Sequence, residues 1–355
     1  MTRARLVIVV CIAILNIWSI SSLYSSLHQA GELTNEYILY RQIAWITIGW
    51  VVLAISSFIN YRLYFDLSLF LYIVDLALLI GVKFLGKEVM GARRWFSFLG
   101  MNFQPSEFSK VVTVFILARF FSQSFDKNIF VKKVLLPLGL VLLSSFLIFK
   151  QPDLGTALIC IFVFFLMGLS SSIKKKYFVF CLITGILITP LGWRFLKDYQ
   201  KKRLLVFLNP NCEPLGAGYT ILQSKIAIGS GKILGKGFLS GTQNQFNFLP
   251  ERHTDFIFTV VAEEWGFLGS LFLLIIYYLI LKNILAITKE AKDDFARYIL
   301  IGTAYLFFLH IFINIGMTLG MLPVVGLPLI FLSYGGTHLF FNFFLLGVVF
   351  NISRQ

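Results

Sequence analysis

Five consecutive polar residues, at positions 251–255, stand directly before a long apolar run in this sequence. They are Glu251, Arg252, His253, Thr254 and Asp255. Ionisable groups beside a lipid-buried segment are costly to place and indicate a functional site. A simpler interpretation is that Thr254 or Asp255 caps the following helix, because both residue types accept hydrogen bonds from a first helical turn. Capping accounts for one of the five residues, so the stretch is a candidate functional site.

Two further groups of residues have the types and spacing of a phosphate-binding site. Glu107 and Lys110 are three positions apart and share one face of a predicted helix. They form either a self-neutralising ion pair, or a pair in which Lys110 holds a phosphate and Glu107 orients it or a metal ion. Arg93 and Arg94 offer guanidinium forks for phosphate. The neighbouring Trp95 suits either stacking on a sugar or the aromatic belt of a membrane protein.

Other polar residues in apolar surroundings have more ordinary explanations. Asp153 precedes an apolar run and is interpreted as a helix N-cap more readily than as a ligand. Glu263 and Glu264 lie about 80° and about 180° around a helix axis from Asp255, so neither shares a reacting atom with it. We expect structural pairing or partner-helix contacts for both. Isolated polar residues for which we expect interhelical hydrogen bonds are Asp75, His310 and Asn342.

The composition predicts a membrane protein. Of 355 residues, 58% are hydrophobic and only 14% are charged, which leaves too few charges for the surface of a soluble domain. Part of the net charge of +14 is the usual cytoplasmic excess of Lys and Arg. The remaining cations lie in predicted outer loops, where they favour an anionic lipid or phosphate ligand over nucleic acid. The four cysteines show no metal-binding spacing and imply no disulfide framework.

About ten apolar runs reach or approach the length needed to cross a bilayer. They lie at residues 6–24, 37–59, 65–84, 107–121, 133–149, 155–170, 177–193, 256–282, 298–320 and 337–352. An even number of spans puts both termini on one side, and the basic short loops predict that this side is cytoplasmic. The first run resembles a signal sequence without a cleavage site and is interpreted as an uncleaved helix. The sequence thus predicts an all-α polytopic protein with a single integral membrane domain over residues 1–355.

Two segments between the spans are predicted to surround an outer site. Residues 194–255 form a long extracellular or periplasmic loop between the seventh and eighth helices, and its apolar content predicts a folded lid rather than disorder. Residues 222–228 predict a short amphipathic helix on the membrane surface. Residues 323–336 contain two prolines and several glycines at membrane depth. Irregular backbone there is tolerated when it is buried in protein or lines a cavity, so we predict a re-entrant floor or wall.

Five ordered motifs resemble the SEDS family of bacterial cell-wall polymerases, the RodA/FtsW/SpoVE group. They are GARRW at 91–95, QPSE at 104–107 with Lys110 following, QPDLGTAL at 151–158, FLPERHTDFIF at 248–258 followed by AEEWG, and GLP followed by LSYGG at 332–336. Residues 251–253 and 323–326 look more like the RodA branch, which acts in elongation, than the FtsW branch, which acts in division. The chain departs from the common pattern at Ile330, where Pro is frequent, and at Thr337 and His338, where small residues are usual.

The resemblance implies a ten-helix membrane glycosyltransferase that polymerises lipid II on the outer face of the cytoplasmic membrane. It also implies a class B penicillin-binding transpeptidase and other membrane proteins of the elongation complex as partners. In the family the Asp of the HTDF motif is the essential carboxylate, which maps onto Asp255. The other positions that match family motifs, and are thereby candidate substrate-binding residues, are Arg94, Trp95, Glu107, Lys110, Asp153, Arg252, His253, Thr254 and Ser333.

The chemistry of lipid II suggests roles for these residues. Displacing an α-linked pyrophosphate to form a β-linked glycan inverts the anomeric centre and needs a base for the attacking hydroxyl. Asp255 suits that role, and the pyrophosphate needs only cations: Arg94, Lys110 and Arg252, or a divalent ion such as Mg²⁺ or Mn²⁺. The alternatives are a flippase for lipid-linked sugars and a non-catalytic scaffold. A flippase needs a polar path to both faces, whereas these ionisable residues cluster at the predicted outer face, and a scaffold does not need an acid–base cluster.

Overall fold

The fold is given by a computed structural model of the chain. It describes residues 3–29, 32–33, 36–89, 92–98, 101–124, 129–192, 198–209 and 216–355. Residues 194–197 and 210–215, which belong to the predicted long loop, lie outside the described residues.

Helices make up most of the described chain. Their bounds are α1 (Arg3–Leu27), α2 (Glu36–Ser56), α3 (Arg62–Leu85), α4 (Pro105–Ser122), α5 (Leu136–Lys150, preceded by a π-helical turn at Val131–Leu135), α6 (Leu154–Leu169), α7 (Lys175–Gly192), α8 (Asp198–Leu208), α9 (Ala217–Ser230), α10 (Thr242–Gln245), α11 (Ile257–Ile287), α12 (Asp294–Thr318) and α13 (Gly336–Ile352). Two short strands, β1 (His28–Gln29) and β2 (Glu32–Leu33), pair between α1 and α2.

The predicted fold class is confirmed. Helices α1 to α7 and α11 to α13 coincide with the ten predicted spans, and their bounds differ from the prediction by a few residues. Among the described helices, six are long and apolar enough to cross a membrane, and α6 and α13 are shorter apolar helices. Helices α8, α9 and α10 lie in the predicted long loop, and α9 covers the helix expected at residues 222–228.

The connection between α3 and α4 forms a small antiparallel sheet that the sequence did not predict. Its strands are β3 (Lys87–Val89), β4 (Ala92–Phe98) and β5 (Met101–Phe103), with β4 in the centre. Glu88 lies opposite Arg93 and Lys87 opposite Trp95. The register shifts between Lys87 and Glu88, so Arg94 is an extra residue of β4 between the two paired positions.

The chain divides into two compact units. The first comprises Met1–Gly49, Leu196–Asn283 and His310–Leu339, and it contains the polar stretch at 251–255. The second comprises Trp50–Phe195, Ile284–Leu309 and Phe340–Gln355, and it contains the small sheet and helices α3 to α6. Buried aromatic rings pack in the second unit, where the ring centroids of Phe164 and Phe178 are 5.6 Å apart.

Within the first unit, part of the long loop is joined to a break in helix α11. Gly266 has φ 64° and ψ −158°, which are not helical angles. Four backbone hydrogen bonds close the break: Phe267 N to Lys232 O (2.9 Å), Leu268 N to Ile233 O (3.1 Å), Lys236 N to Glu263 O (3.0 Å) and Gly237 N to Glu264 O (3.0 Å). A Cβ on Gly266 would lie 2.3 Å from the amide nitrogen of Gly235, so only glycine fits. The glycine-rich segment of the loop is thus part of the packing of α11.

The segment that precedes α13 has the irregular backbone that its prolines and glycines predict. Residues 319–335 contain no helix, and residues 329–333 are buried. Ser19 Oγ donates to the carbonyl oxygen of Leu332 at 2.7 Å. Tyr277 Oη donates at 2.7 Å to the carbonyl oxygen of Ile330, the position where the chain departs from the family pattern. Side chains from α1 and α11 therefore hold this non-helical segment in place.

Candidate active site

The polar stretch at 251–255 folds into a tight turn that leads into α11. The amide nitrogens of Thr254 and Phe256 both donate to the carbonyl oxygen of Glu251, each at 3.2 Å. Thr254 Oγ1 also donates to Glu251 Oε2 at 3.1 Å. Asp255 is half-buried and lies two residues before Ile257, where α11 begins. The positive end of the helix dipole favours a carboxylate at this position.

Three consecutive carbonyl oxygens of this turn accept hydrogen bonds from residues 314–334. The bonds are Tyr334 N to His253 O (3.0 Å), Ser333 Oγ to Thr254 O (2.6 Å) and Asn314 Nδ2 to Asp255 O (2.8 Å). Both peptide planes that flank the Asp255 Cα are therefore held, so its side-chain direction is constrained by planar groups. The carboxylate faces Gly326: a Cβ on this glycine would lie 3.3 Å from Asp255 Oδ2.

The buried side chain of Arg252 holds the turn in place. It is 5% exposed. Its Nε donates to the carbonyl oxygen of Ser26, near the end of α1, at 2.6 Å, and its Nη1 donates to Asn247 Oδ1 at 2.5 Å. Burial lowers the pKa of the guanidinium below its usual value, yet an arginine remains charged at neutral pH. Arg252 therefore brings a fixed positive charge three residues before Asp255.

Burial favours the neutral form of His253. Burial is the main cause that lowers the pKa of the imidazole below its usual value; Glu251 acts to raise this pKa and Arg252 acts to lower it. The ring lies beside Tyr334, with the two ring centroids 6.2 Å apart. A neutral imidazole can exchange hydrogen bonds with a sugar or a hydroxyl, but it adds no charge for a phosphate.

Glu107 and Lys110 form an ion pair in the second unit, which is one of the two arrangements that the sequence left open, and phosphate binding by Lys110 stays a prediction. Lys110 Nζ lies 2.7 Å from Glu107 Oε2, and their side chains are 3% and 5% exposed. Both residues belong to α4, where the three-residue spacing brings them together. A buried charge requires such a partner, because an unpaired one is strongly destabilising.

Asp153 is the N-cap of α6, as predicted. Its side chain accepts from the amide nitrogen of Thr156 at 3.1 Å. It also accepts from Gln104 Nε2 at 3.3 Å and from Ser106 Oγ at 3.2 Å. The carboxylate thus joins the start of α6 to the start of α4 within the second unit.

Arg94 is bound to the turn that precedes α6. Its Nε donates to the carbonyl oxygen of Gln151 at 2.7 Å, and its Nη2 donates to that of Pro152. A guanidinium has five N–H donors, and these bonds use two of them. Arg94 therefore orients the 151–153 turn in addition to any contact with a ligand. Trp95, the next residue of β4, is half-buried.

The acidic pair of α11 is structural, as predicted. Glu263 is fully buried and accepts four hydrogen bonds from the long loop. The donors are Lys236 Nζ (2.7 Å), Thr242 Oγ1 (3.2 Å), Gln243 N (3.1 Å) and Asn244 Nδ2 (3.1 Å). Glu264 accepts from Ser25 Oγ of α1. Neither carboxylate contributes to the turn around Asp255.

One of the isolated polar residues makes contacts of the expected kind. Ser109 Oγ of α4 donates to Asp75 Oδ1 at 2.5 Å, and Ser144 Oγ of α5 donates to Asp75 Oδ2 at 3.5 Å. His310 Nδ1 lies 3.3 Å from the carbonyl oxygen of Pro328, which belongs to the non-helical segment rather than to a helix. The expectations of interhelical bonds for His310 and Asn342 stay predictions.

Sequence reasoning missed Asn314, which binds the backbone of Asp255. The sequence feature that could have indicated this residue is an isolated Asn in the apolar sequence of α12, four positions after His310. Within the described residues, no group of three or more His, Cys, Asp or Glu side chains is arranged to hold a metal ion.

The fold and these polar clusters define a polytopic helical membrane protein with an acidic turn at a helix N-terminus. Residues 1–355 match the family model FtsW/RodA/SpoVE, described as cell cycle protein. The chain belongs to this family, which confirms the resemblance read from the motifs.

Named relatives and solved structures agree with this assignment. Peptidoglycan glycosyltransferase MrdB of Escherichia coli K12 is 41% identical over 320 residues, which cover 89% of this chain and 85% of MrdB. Peptidoglycan glycosyltransferase RodA of Treponema pallidum is 30% identical and is aligned over 91% of this chain and 90% of its own length.

Two solved structures share the fold over almost the whole chain. A chain from a study of how a peptidoglycan synthase complex coordinates polymerization and crosslinking has a TM-score of 0.82 and 31% identity, and the match covers 98% of this chain and 96% of that one. The crystal structure of the Rod shape determining protein RodA of Thermus thermophilus has a TM-score of 0.72 and 28% identity, with coverages of 98% and 95%.

Proposed function

We propose that this chain is a peptidoglycan glycosyltransferase that joins the disaccharide units of lipid II into glycan strands. The reaction takes place on the outer face of the bacterial cytoplasmic membrane during cell elongation and rod-shape maintenance. Support comes from the names of relatives that are aligned over most of their length. Residues 1–355 act as one integral membrane domain with cytoplasmic termini, and the loop at 194–255 faces outwards.

The observation that carries the proposal is the position of the Asp255 carboxylate. It lies at the N-terminal end of α11, on a backbone whose carbonyl oxygens are bound at three consecutive residues. A general base must point constantly at the proton that it removes, and a fixed backbone provides this. In the proposed reaction Asp255 takes the proton from the attacking sugar hydroxyl, the new glycosidic bond forms with inversion, and undecaprenyl pyrophosphate leaves.

Cations are proposed to stabilise the departing pyrophosphate, because preorganised positive charge is what a developing anion requires. The cations proposed for this role are Arg94, Lys110 and Arg252. A phosphate at Lys110 would extend its ion pair with Glu107 into a three-membered network. The remaining residues proposed to bind substrate are Trp95, Asp153, His253, Thr254 and Ser333.

A class B penicillin-binding transpeptidase is the proposed partner, together with other membrane proteins of the elongation complex. The similarity to a chain of a complex that coordinates polymerization with crosslinking supports this assignment. Crosslinking consumes the strands that polymerisation makes, so a transpeptidase held beside the polymerase receives its substrate directly.

The decisive experiment is to incubate the purified protein with labelled lipid II, with and without the transpeptidase, and to separate the products by size. We expect glycan polymer in at least the sample that contains both proteins, and none without this chain. Lipid II that remains unpolymerised under both conditions, from a folded protein, would contradict the proposal. Transfer of labelled lipid II across vesicle membranes without polymerisation would support a flippase instead.

Replacing Gly326 by Ala is expected to slow polymerisation. The φ of this residue is +71°, which costs an L-residue about 1–2 kcal/mol, and the new methyl group would lie 3.3 Å from Asp255 Oδ2. The carboxylate or the segment around Gly326 must then shift. The measurement is the initial polymerisation rate together with the thermal midpoint. Gly139→Ala in α5 is the control, because nothing lies within 4 Å of its Cβ position; equal rates for both variants would show that this contact is unimportant.

A further inference from the structure

A buried amide on α12 bonds both to the turn of Asp255 and to the segment that faces it. Asn314 lies on α12 and is fully buried. Its Nδ2 donates to the carbonyl oxygen of Asp255 at 2.8 Å and to that of Leu327 at 2.6 Å. These acceptors are 59 and 13 residues away in the chain. Asn314 is thus the point where the turn, helix α12 and the non-helical segment meet.

The two acceptors define the orientation of this amide. A nitrogen can donate to both carbonyl oxygens, whereas a rotated amide would direct the lone pairs of Oδ1 at them. Oδ1 is buried and has no hydrogen-bond partner within the described residues. Both the oxygen and the nitrogen of a buried amide are normally hydrogen-bonded. In Asn314 only the nitrogen of the amide, which faces Asp255 and Leu327, is hydrogen-bonded to a described residue. This indicates that the two bonds from the nitrogen are what the side chain contributes to the structure.

The bonds act on the Asp255 carboxylate through the backbone. Asn314 holds the peptide plane that follows the Asp255 Cα, and Ser333 Oγ holds the plane that precedes it at 2.6 Å. The second bond of Asn314, to Leu327, fixes the residue directly after Gly326. Gly326 in turn is the backbone that the carboxylate faces. Asn314 therefore helps to fix both the direction of the Asp255 Cα–Cβ bond and the position of the backbone opposite the carboxylate.

We propose that Asn314 is a positioning residue for Asp255, which keeps the carboxylate in the geometry needed to deprotonate the attacking hydroxyl. This inference rests on the proposed function, in which Asp255 is the base. Other side chains cannot replace the amide without loss: Leu has no donor, and an ionised Asp would direct oxygen atoms at both carbonyls.

The test is steady-state polymerisation of labelled lipid II by the full-length protein with its transpeptidase. Asn314→Leu removes both donors at similar volume and is expected to lower kcat by about 10²-fold, the effect of a misplaced reacting group, with KM nearly unchanged. Asn314→Gln keeps both donors on a longer arm and is expected to recover part of kcat. Asn351→Leu is the matched control, because Asn351 is also buried and its Nδ2 donates to the carbonyl oxygen of Ser57 at 3.1 Å.

The outcomes separate the inference from the proposed function. If Asn314→Leu is as fast as Asn351→Leu, or if its loss lies in KM alone, Asn314 does not position Asp255. If Asn314→Leu does not fold, Asn314→Ser decides, since a parental kcat in this smaller variant also overturns the inference. Asp255→Ala is measured in parallel. Polymer made by Asp255→Ala would refute Asp255 as the base, whereas an inactive Asp255→Ala beside a fast Asn314→Leu would refute the positioning role alone.

Discussion

Replacing Asp255 by Asn is expected to abolish glycan polymerisation while the fold and the binding of lipid II persist. The two side chains have nearly the same size, and the backbone bond from Asn314 does not depend on the side chain of residue 255. What changes is basicity, because an amide cannot accept the proton of the attacking hydroxyl. Loss of a general base typically lowers a rate by about 10²–10⁴-fold, which takes a slow polymerase below detection.

The measurement is polymer formation from labelled lipid II, with lipid II binding and thermal unfolding recorded on the same preparation. Asp294→Asn is the matched control, since Asp294 is an exposed aspartate at a helix start and pairs with Arg297 at 3.0 Å. Exposed ion pairs contribute little to stability, so this variant should behave like the parent. Glycan chains made at the parental rate by a folded Asp255→Asn would refute the assignment.

A second control on the same prediction tests whether His253 can replace Asp255 as the base. A neutral imidazole can accept a proton, and burial holds the pKa of His253 below its usual value. If a residual rate survives in Asp255→Asn, the double variant with His253→Gln tests whether the imidazole supplies it. A residual rate that is unchanged in the double variant would exclude His253 as a substitute base.

Features that depend on neighbouring residues were predictable from the sequence. The spans follow from apolar runs of sufficient length, since a bilayer imposes that length on every helix that crosses it. The Glu107–Lys110 pair follows from a spacing of three on a helix, and the cap at Asp153 follows from its place before an apolar run. The helical angle between Asp255 and Glu263 likewise predicted that Glu263 serves a separate, structural role.

Features that depend on distant residues were not predictable from one sequence. Arg94 was predicted to bind phosphate, but nothing local indicates that two of its donors meet carbonyl oxygens 57 and 58 residues away. Asn314 lies 59 residues from Asp255 and has no periodic pattern that links the two. Gly266 resembles the other glycines of the chain, although it must admit the loop segment, together with Gly231 and Gly235, at a break of α11. Such contacts arise from tertiary packing, which a propensity or a period does not encode.

Two buried carboxylates of the second unit differ in how their charge is balanced. Asp153 is stabilised by hydrogen bonds from an amide nitrogen and two neutral side chains, whereas Glu107 has the ammonium group of Lys110 at 2.7 Å. An ion pair can be probed by removing one charge or both, and the two operations give different answers. Comparing the removal of one charge with the removal of both therefore separates a structural role of Lys110 from a role in substrate binding.

Removing the charge of Lys110 alone is expected to destabilise the protein more than removing both charges of the pair. Lys110→Ala leaves the carboxylate of Glu107, whose side chain is 5% exposed, without its cation, and breaking a buried pair in this way costs about 3–5 kcal/mol. The double variant Lys110→Met with Glu107→Gln keeps the volume and buries no charge, so its stability should be close to that of the parent. The measurement is the free energy of unfolding, or the thermal midpoint in detergent, for each variant.

The double variant then reports what Lys110 does for lipid II. If Lys110 binds a phosphate, affinity should fall by about tenfold or more, because a hydrogen bond to a charged group contributes about 1.5–3 kcal/mol. Arg297→Met with Asp294→Asn is the matched control, an exposed pair at the same i,i+3 spacing, and should leave affinity unchanged. Parental affinity in a folded Lys110→Met/Glu107→Gln variant would mean that Lys110 serves only as the partner of Glu107. A loss of lipid II affinity in Lys110→Met/Glu107→Gln, without a loss in Arg297→Met/Asp294→Asn, would instead place the pyrophosphate at α4. Both variants remove one cation and one carboxylate, and they differ only in where that pair lies.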